Sequence, residues 1–270
     1  MGEKTRLDVR MVKERLAPSR ERAKEWIQSG LVKADGVVMQ KAGAMVLPQA
    51  KLEIGAQPLP YVSRGGLKLE KALNLFQISL AGKVCLDAGA STGGFTDCML
   101  QRGAARVYAV DVGHDQLAAK LQADKRVISM ENTNIKELGT GKLPELCDFA
   151  SADLSFISLT KVLPALNACI RDGAELVCLI KPQFEAGRDK VGKKGVVKDA
   201  RVHRQVLSQV TEFCEGIGLT VANLTFSPIR GQEGNAEFLA HLIKGEKKGA
   251  VVDLQTLIQQ VVQESHNMNP

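Results

Sequence analysis

The sequence predicts an α/β fold with a mostly parallel, seven-stranded sheet over residues 61–246, preceded by a small α+β unit over residues 1–60. Three observations carry this prediction. From Lys83 onward, short apolar runs alternate with helical stretches, which is typical of a parallel sheet covered on both faces. The first of those runs leads into a glycine-rich turn. A proline-bearing joint, Gln57-Pro-Leu-Pro60, separates the two parts, and residues 247–270 are predicted to form a C-terminal helix and tail.

Composition predicts a cytoplasmic protein with no membrane partner. Of the residues, 44% are hydrophobic and 24% are charged, no apolar run is long enough to cross a bilayer, and the first residues are charged. The six cysteines stand singly, without a C-x-x-C pair. This spacing favours buried free thiols in a reducing compartment and predicts no metal site.

The net positive charge is confined to the first quarter of the chain. Residues 1–74 contain 14 lysines and arginines against 8 aspartates and glutamates, whereas the remainder contains 22 of each. A basic excess in one domain favours a polyanionic partner, with nucleic acid ahead of a membrane surface. A solvated charged face is the alternative, and composition alone leaves both open.

The N-terminal unit has helix and hairpin signals in order. Helical apolar spacing covers Leu7–Leu16, and a second helix over Arg20–Ser29 has Ser19 as its N-cap. Two short apolar runs flank Asp35-Gly36, which predicts a hairpin, and a strand follows at Lys51–Ile54. The charged face of the two helices carries Arg6, Arg10, Arg20, Arg22 and Lys24.

The larger domain begins with a predicted helix over Leu67–Leu75. Its strands are predicted at 84–87, 106–110, 127–130, 147–151, 174–180, 219–226 and 236–242. Predicted helices between or after them include 114–121, 159–170, 200–216 and 254–262. Ligands of such sheets bind outside the carboxyl ends of the strands, so the chemistry is expected there.

The glycine-rich turn, Leu86-Asp-Ala-Gly-Ala-Ser-Thr-Gly-Gly-Phe95, is typical of a loop that binds a nucleotide-type cofactor. It differs from the dinucleotide pattern because Asp87 ends the strand, and a carboxylate there suits a cationic ligand. S-adenosylmethionine is therefore favoured over NAD, although a plain helix-packing corner has the same glycines. Asp111 lies 24 residues after Asp87, at the end of the next predicted strand, where it can bind ribose hydroxyls or act as a helix N-cap.

Two further strand ends carry charged residues. Asp153 follows the fourth predicted strand, and Lys181 ends the fifth. A lysine at the end of an apolar strand is costly unless a carboxylate or solvent meets it, so Asp153 is a candidate partner and a surface lysine is the alternative. The sequence lacks the Asn/Asp-Pro-Pro-Tyr/Phe motif of enzymes that methylate exocyclic amino groups, and it lacks the Pro-Cys nucleophile of enzymes that methylate pyrimidine carbon five. A hydroxyl acceptor remains, and a lysine with a lowered pKa can be its base.

Five motifs together resemble the TlyA family of ribosomal RNA ribose 2′-O-methyltransferases, also called hemolysin A. They are Ser63-Arg-Gly-Gly-Leu-Lys68, the glycine-rich turn, Ala152-Asp-Leu-Ser-Phe-Ile-Ser158, Lys181-Pro-Gln-Phe-Glu185 and Gly234-Asn-Ala-Glu-Phe238. The N-terminal unit resembles the family's αL RNA-binding module through Arg6-Leu-Asp8, Ser19-Arg20, Ile27, Gly30 and Asp35-Gly36. Two departures are Asp35, where asparagine is frequent, and His114, where tyrosine is frequent.

The resemblance implies a Rossmann-like, FtsJ-like catalytic domain, S-adenosyl-L-methionine as cofactor, and ribosomal RNA or ribosomal subunits as partners. It implies a catalytic tetrad of Lys68, Asp153, Lys181 and Glu237, with Lys181 as base and the others setting its proton affinity and placing the ribose. Lys68 and Glu237 come from the resemblance alone. The target is expected to be a cytidine.

The remaining expected site residues fall into two groups. Cofactor binding is assigned to Asp87, Gly89, Ser91, Thr92, Gly93, Gly94, Phe95, Asp111, Val112 and Thr133. RNA binding is assigned to Arg6, Arg20, Arg22, Lys24 and Arg64, with the basic segment 188–204 as an RNA-facing loop or a merely solvated one. A non-catalytic RNA-binding assembly factor, a hemolysin and, third, an NAD-dependent oxidoreductase are the alternatives.

Overall fold

The computed structural model describes residues 4–17, 19–28, 30–55, 59–139, 141–245 and 253–268. The chain divides into two compact units, Met1–Leu59 and Pro60–Pro270. Each unit has a hydrophobic core of its own.

The N-terminal unit packs two helices with short antiparallel strands. Its elements are β1 (Thr5–Arg6), α1 (Leu7–Lys13), α2 (Arg20–Gln28), β2 (Val32–Ala34), β3 (Val37–Met39), β4 (Met45–Val46) and β5 (Leu52–Ile54). The strands form a three-stranded sheet in the order β3-β2-β5 and a two-stranded sheet of β1 and β4. Buried side chains that include Leu7, Met11, Ile27 and Val32 join both helices to β2.

The predicted hairpin is present, and its turn explains the Asp-Gly pair. Asp35 and Gly36 both have positive φ angles, 51° and 79°, which a tight turn between twisted strands requires. Helix α1 ends at Lys13, short of the predicted Leu16, because Arg15 takes a left-handed φ of 58° that no α-helix continues through. The predicted end of α2 at Ser29 lies outside the described residues.

The larger unit alternates strands and helices. Its elements are α3 (Gly65–Phe76), β6 (Val84–Ala88), α4 (Gly94–Gln101), β7 (Arg106–Val110), α5 (Ala119–Gln122), β8 (Val127–Met130), β9 (Cys147–Ala152), α6 (Leu163–Cys169), β10 (Ile170–Ile180), α7 (Pro182–Glu185), α8 (Ala200–Gly216), β11 (Leu219–Phe226), β12 (Phe238–Lys244) and α9 (Leu254–Asn267).

A seven-stranded sheet runs through this unit in the order β11-β12-β10-β9-β6-β7-β8. The pairs from β10 to β8 are parallel, whereas β12 is antiparallel to both of its neighbours. The predicted Rossmann-like, mostly parallel α/β class is therefore confirmed. Because β6, β7, β9 and β10 are parallel, their carboxyl ends meet at one edge of the sheet, and the segments that follow them lie together there.

Alternate side chains along the strands face two different cores. Leu86 and Ala150 belong to one apolar cluster, which includes residues of α8 and α9. Cys85 and Phe149 belong to the other, which includes residues of α3 and α4. The sheet is thus covered on both faces, as the apolar strand sequences require.

The helix predicted over 114–121 is wrong for most of its length. Residues 114–118 are not helical, and α5 begins only at Ala119. The carboxylate of Glu131 accepts hydrogen bonds from the backbone N–H groups of Asp115 (2.8 Å) and Gln116 (3.1 Å), which satisfies them without a helix. The terminal helix, in contrast, continues past the predicted Val262 to Asn267, because α9 packs on α8 and β11.

All six cysteines are buried and free. In the described ranges, no helix combines the length and the apolar character that crossing a bilayer requires.

Candidate active site

Four charged side chains form a continuous chain of ion pairs at the carboxyl edge of the sheet. Lys181 Nζ lies 2.6 Å from Asp153 Oδ1, and the other oxygen of Asp153 lies 3.6 Å from Lys68 Nζ. Lys68 Nζ in turn lies 2.7 Å from Glu237 Oε2. The structure therefore brings together the two residues predicted from strand ends and the two named by the resemblance alone.

The local sequence explains how these side chains meet. Asp153 directly follows β9 and Lys181 directly follows β10, and these two strands are parallel neighbours with Ala152 opposite Cys178. Pro182 has no N–H to donate, so it ends the ladder and begins α7. Lys181 also donates a 3.0 Å hydrogen bond to Ser155 Oγ, which holds its amine from a second side.

The cluster is nearly closed to solvent. Lys68, Lys181 and Glu237 are 9%, 8% and 4% exposed, and the Asp153 side chain is 19% exposed. Charges this deeply buried are tolerated only when they are paired, and here two ammonium groups face two carboxylates. Such an arrangement can hold a proton-transferring amine at a fixed position beside a substrate.

A cavity of about 330 Å³ opens onto the four residues. Part of its wall comes from the segment before and within α3, including Ser63, Arg64 and Gly65. The glycine-rich loop forms another wall with Gly89, Ala90, Ser91, Thr92, Gly94 and Phe95.

The glycine-rich loop has the close backbone approach that its sequence predicts. Gly89 has a φ of 85°, and a Cβ placed on it would come within 2.6 Å of the carbonyl oxygen of Asp153. Gly93 has a different role, because a Cβ on it would overlap the side chain of Leu121 and lie 2.8 Å from that of Leu117. Gly93 therefore packs the loop against α5 and is not among the residues that line the cavity. A bulky residue there would displace the loop rather than fill the cavity.

A second cavity, of about 350 Å³, adjoins the first and shares Gly89, Ser91, Asp153 and Ser155 with it. Its remaining lining includes Asp111, Val112, Gln116, Thr133, Ile135, Leu154 and Phe156. Asp111 accepts 2.8 Å hydrogen bonds from the backbone N–H groups of Ser91 and Gly113. The alternative role of Asp111 as a helix N-cap is wrong, since no helix begins there.

The two cavities together fit an elongated nucleoside with a charged side arm. The apolar side chains Ile135 and Leu154 suit a base, and Asp111 is a carboxylate beside them that can accept hydrogen bonds from ribose hydroxyls. Beyond the shared Gly89, the first cavity offers backbone and charged groups for a polar arm. His114 is not part of either lining, so its departure from tyrosine does not alter the cavities.

Asp87 lies behind the loop and lines neither cavity. It is fully buried, and its carboxylate accepts hydrogen bonds from Thr96 Oγ1 (2.7 Å) and Ser151 Oγ (3.1 Å). Burial raises the pKa of Asp87 to about 6. The structure thus shows Asp87 joining β6, β9 and α4, and it shows no route for a direct contact with a cationic ligand.

The residues expected to bind RNA are divided between the units. In the N-terminal unit, Arg6 and Arg20 lie 3.0 and 3.1 Å from the buried Asp8, with their side chains 47% and 51% exposed. Lys24 is exposed, and the side chain of Arg22 lies outside the described part of the chain. Arg10 does not belong to that charged face: it is buried and donates to the carbonyl oxygens of Leu47 and Ala50.

Several cavity residues carried no signal of their own in the sequence. Gln183 lies two residues after Lys181, and Arg230 lies in the loop before β12. Arg230 donates hydrogen bonds to the carbonyl oxygens of Ser265 (2.7 Å) and Met268 (3.3 Å), which ties this loop to the end of α9. The basic segment 188–204 is only partly exposed, because Val197 is buried and its N–H donates to Asn235 Oδ1.

Two family models match the chain. FtsJ-like methyltransferase covers residues 61–244, and S4 domain covers residues 5–52. Each match falls within one of the two compact units.

Similar proteins match nearly the full length. YqxC of Bacillus subtilis, provisionally called an rRNA methyltransferase, is 46% identical over 98% of this chain and 95% of its own. The 16S/23S rRNA (cytidine-2′-O)-methyltransferase TlyA of Mycobacterium tuberculosis is 42% identical over 90% of this chain and 91% of its own. A solved structure from Streptococcus thermophilus, provisionally called a hemolysin, is 46% identical, has a TM-score of 0.75, and covers 98% of this chain and 96% of that one.

Proposed function

The chain belongs to the FtsJ-like methyltransferase family, with an S4 domain ahead of its methyltransferase domain, and we propose that it methylates the ribose 2′-hydroxyl of a cytidine in ribosomal RNA. The observation that carries the proposal is the chain of ion pairs from Lys181 through Asp153 and Lys68 to Glu237, beside a cavity that a substrate can enter. The names of the similar proteins support the choice of ribosomal RNA and of cytidine.

The cofactor is S-adenosyl-L-methionine, which supplies an electrophilic methyl group on a sulfonium. Its adenosine suits the cavity with Asp111, Val112 and Thr133, and its methionine arm suits the loop from Gly89 to Phe95. Within that loop, the backbone N–H of Ser91 donates a hydrogen bond to Asp111. This bond fixes the proposed ribose-binding carboxylate relative to the loop.

Lys181 is the proposed base. Acting as a neutral amine, its Nζ would accept the proton of the 2′-hydroxyl as that oxygen takes the methyl group, while the bond from the methyl carbon to the sulfonium sulfur would break and leave a neutral thioether. Asp153 and Ser155 hold Nζ in place, and the Lys68–Glu237 pair holds the second oxygen of Asp153. Because Lys181 is only 8% exposed, these two partners rather than solvent set the orientation of its amine.

RNA binding is proposed for the N-terminal unit and for Arg64 at the cavity. Arg6, Arg20 and Lys24 present partly or fully exposed cations in a unit with most of the chain's net charge. Such side chains position a phosphate backbone without reading its sequence. Ribosomal subunits, and hence the cytoplasm, are the proposed setting.

The test is methyl transfer to ribosomal RNA isolated from cells that lack this protein. The full chain is incubated with that RNA and methyl-labelled S-adenosyl-L-methionine, and the RNA is digested to nucleosides. We expect label in 2′-O-methylcytidine at discrete positions. Label in a methylated base would overturn the ribose assignment, and RNA binding without label would show a non-catalytic RNA-binding factor.

A further inference from the structure

Unpartnered buried oxygens are few in the part of the chain that the structure describes. Three side-chain oxygens there are shielded from water and have no hydrogen-bond partner: Asn167 Oδ1, Gln183 Oε1 and Glu237 Oε2. Glu237 Oε2 is the atom ion-paired with Lys68, and Asn167 is on α6, away from the cavities at the carboxyl edge. Gln183 Oε1 is therefore the one that lies at the candidate active site without a charge partner.

Gln183 stands at the boundary of two cavities. It lines the 330 Å³ cavity that contains Lys181, and it also lines a neighbouring cavity of about 590 Å³. This 590 Å³ cavity is lined by an aromatic pair, Phe156 and Phe184, whose ring centroids lie 5.2 Å apart. Flat apolar rings and a polar amide suit a planar heterocycle rather than a phosphate or a sugar.

The backbone fixes Gln183 close to the proposed base. Both residues belong to the turn at the end of β10, where Phe184 N–H donates to Lys181 carbonyl oxygen at 2.9 Å. Glu185 anchors the same turn by accepting hydrogen bonds from Ser158 Oγ (2.7 Å) and Leu159 N–H (2.8 Å). Because this segment is short and anchored, Gln183 is held at a fixed position near Lys181.

We propose that Gln183 selects the target base: rotation of its side chain toward the cavity presents the now covered Oε1, which accepts a hydrogen bond from the exocyclic amino group of cytosine. The inference rests on the proposed ribose methylation, because a methylated ribose brings its own base to this wall. An acceptor left without a donor is unfavourable, and cytosine N4 is a donor, whereas uracil has an acceptor at the same position. The same oxygen thus favours cytidine and disfavours uridine.

The test compares cytidine with uridine at the mapped target position. Ribosomal RNA carrying either base there is methylated by the full chain, by Gln183→Met, by Gln183→Glu and by Gln205→Met. Gln205 is the matched control, since it is exposed on α8 and bonded to Lys190 Nζ. We expect the wild-type chain and Gln205→Met to prefer cytidine, and Gln183→Met to lose that preference with a roughly tenfold or greater fall on cytidine alone.

Gln183→Glu keeps an acceptor and is expected to keep the cytidine preference. The affinity for S-adenosyl-L-methionine, measured by calorimetry, confirms that each variant is folded. An unchanged preference in Gln183→Met, an equal loss on both bases, or a wild-type chain indifferent to the base would each overturn the inference. Failure of the proposed function is a separate outcome, in which the wild-type chain labels no ribose at all.

Discussion

Each of the two units of this protein contains an aspartate that bridges two cations, and the two bridges serve different purposes. In the N-terminal unit Asp8 is paired with Arg6 and Arg20, and about half of each arginine side chain is exposed. In the larger unit Asp153 is paired with Lys68 and Lys181, whose side chains are only 11% and 10% exposed. Both units thus have a bridging aspartate, but the cations that it bridges differ in residue type and in exposure.

Both differences have chemical consequences. Arginine does not give up its proton in proteins, so Arg6 and Arg20 can hold an anion but cannot act as bases. Lysine can exist as a neutral amine, and burial keeps its position fixed. We therefore expect the exposed arginine pair to act in binding and the enclosed lysine pair to act in the reaction.

Substitution of the enclosed lysines should cause the strongest loss of activity. Lys181→Met removes the proposed base and should lower the single-turnover rate on ribosomal RNA by about a hundredfold or more. Lys181→Arg should be similarly inactive, because it restores the charge and not the base. Affinity for S-adenosyl-L-methionine, measured by calorimetry, should stay near wild type in both.

The exposed lysine Lys125 provides the control, and Lys125→Met should keep the wild-type rate. Recovery of the rate in Lys181→Arg would mean that this position contributes charge rather than proton transfer. The enclosed lysine pair and the exposed arginine pair would then differ in burial and not in chemistry.

The strand-end residues of this cluster could be predicted from the sequence, and its other half could not. Asp153 and Lys181 end consecutive apolar strands, and parallel strands bring such ends together. Lys68 is on α3 and Glu237 precedes β12, which pairs antiparallel between β10 and β11. The periodicity of the sequence predicts local structure and not which distant strands pair, so only the family resemblance pointed to Lys68 and Glu237.

Side-chain direction was the other limit of the sequence. Arg10 and Arg20 belong to the same basic pattern, yet Arg10 is buried against Leu47 and Ala50 carbonyl oxygens and Arg20 is half exposed. Asp87 was expected to face the cofactor because of its place in the loop motif. Its hydrogen bonds to Thr96 and Ser151 depend on the packing of three separate elements, which spacing along the chain does not show.

The two units also contain buried acids whose pKa values are shifted in opposite directions. The guanidinium of Arg6 lowers the pKa of Asp8 to about 2, although burial opposes this effect. The stabilisation from Asp8 is therefore present above its ordinary pKa of 3.8 and is lost as the pH falls toward 2. Asp87 has hydroxyl partners instead, and its pKa is raised to about 6. Its contribution is present below pH 3.8 and is lost as the pH rises through 6.

We expect Asp8→Asn and Asp87→Asn to show opposite pH dependence. At pH 7, Asp8→Asn should destabilise the N-terminal unit by about 1–3 kcal/mol, because the buried group no longer pairs with two arginines. Trp26, the single tryptophan, packs against the core of that unit and reports its urea unfolding by fluorescence. Asp87→Asn should gain stability relative to wild type between pH 4 and 7, measured by far-UV circular dichroism. Parallel pH profiles for the two variants would contradict the assigned environments.

Substitution of single exposed cations in the N-terminal unit should have a weaker effect, and it tests whether these side chains bind RNA. Removing one side chain that neutralises a phosphate should reduce the slope of log affinity against log salt by about 0.7–0.9. Lys24→Gln and Arg20→Gln should each show that change in ribosomal RNA binding, with the methylation rate at saturating RNA unchanged. Lys51→Gln is the control from the same unit, because the exposed carboxylate of Glu53 cancels the charge of Lys51, whereas the buried Asp8 is shared by two arginines and leaves a net positive charge.

A chain lacking residues 1–59 extends the same test. It should still bind S-adenosyl-L-methionine, since both cavities are lined by residues of the larger unit, and it should bind ribosomal RNA weakly and with a shallower salt slope. If the shortened chain bound RNA with the affinity and the salt slope of the full chain, the main RNA contact would be assigned to the basic segment 188–204. In that case the arginine pair on Asp8 would serve the stability of its own unit, and the lysine pair on Asp153 alone would retain a functional role.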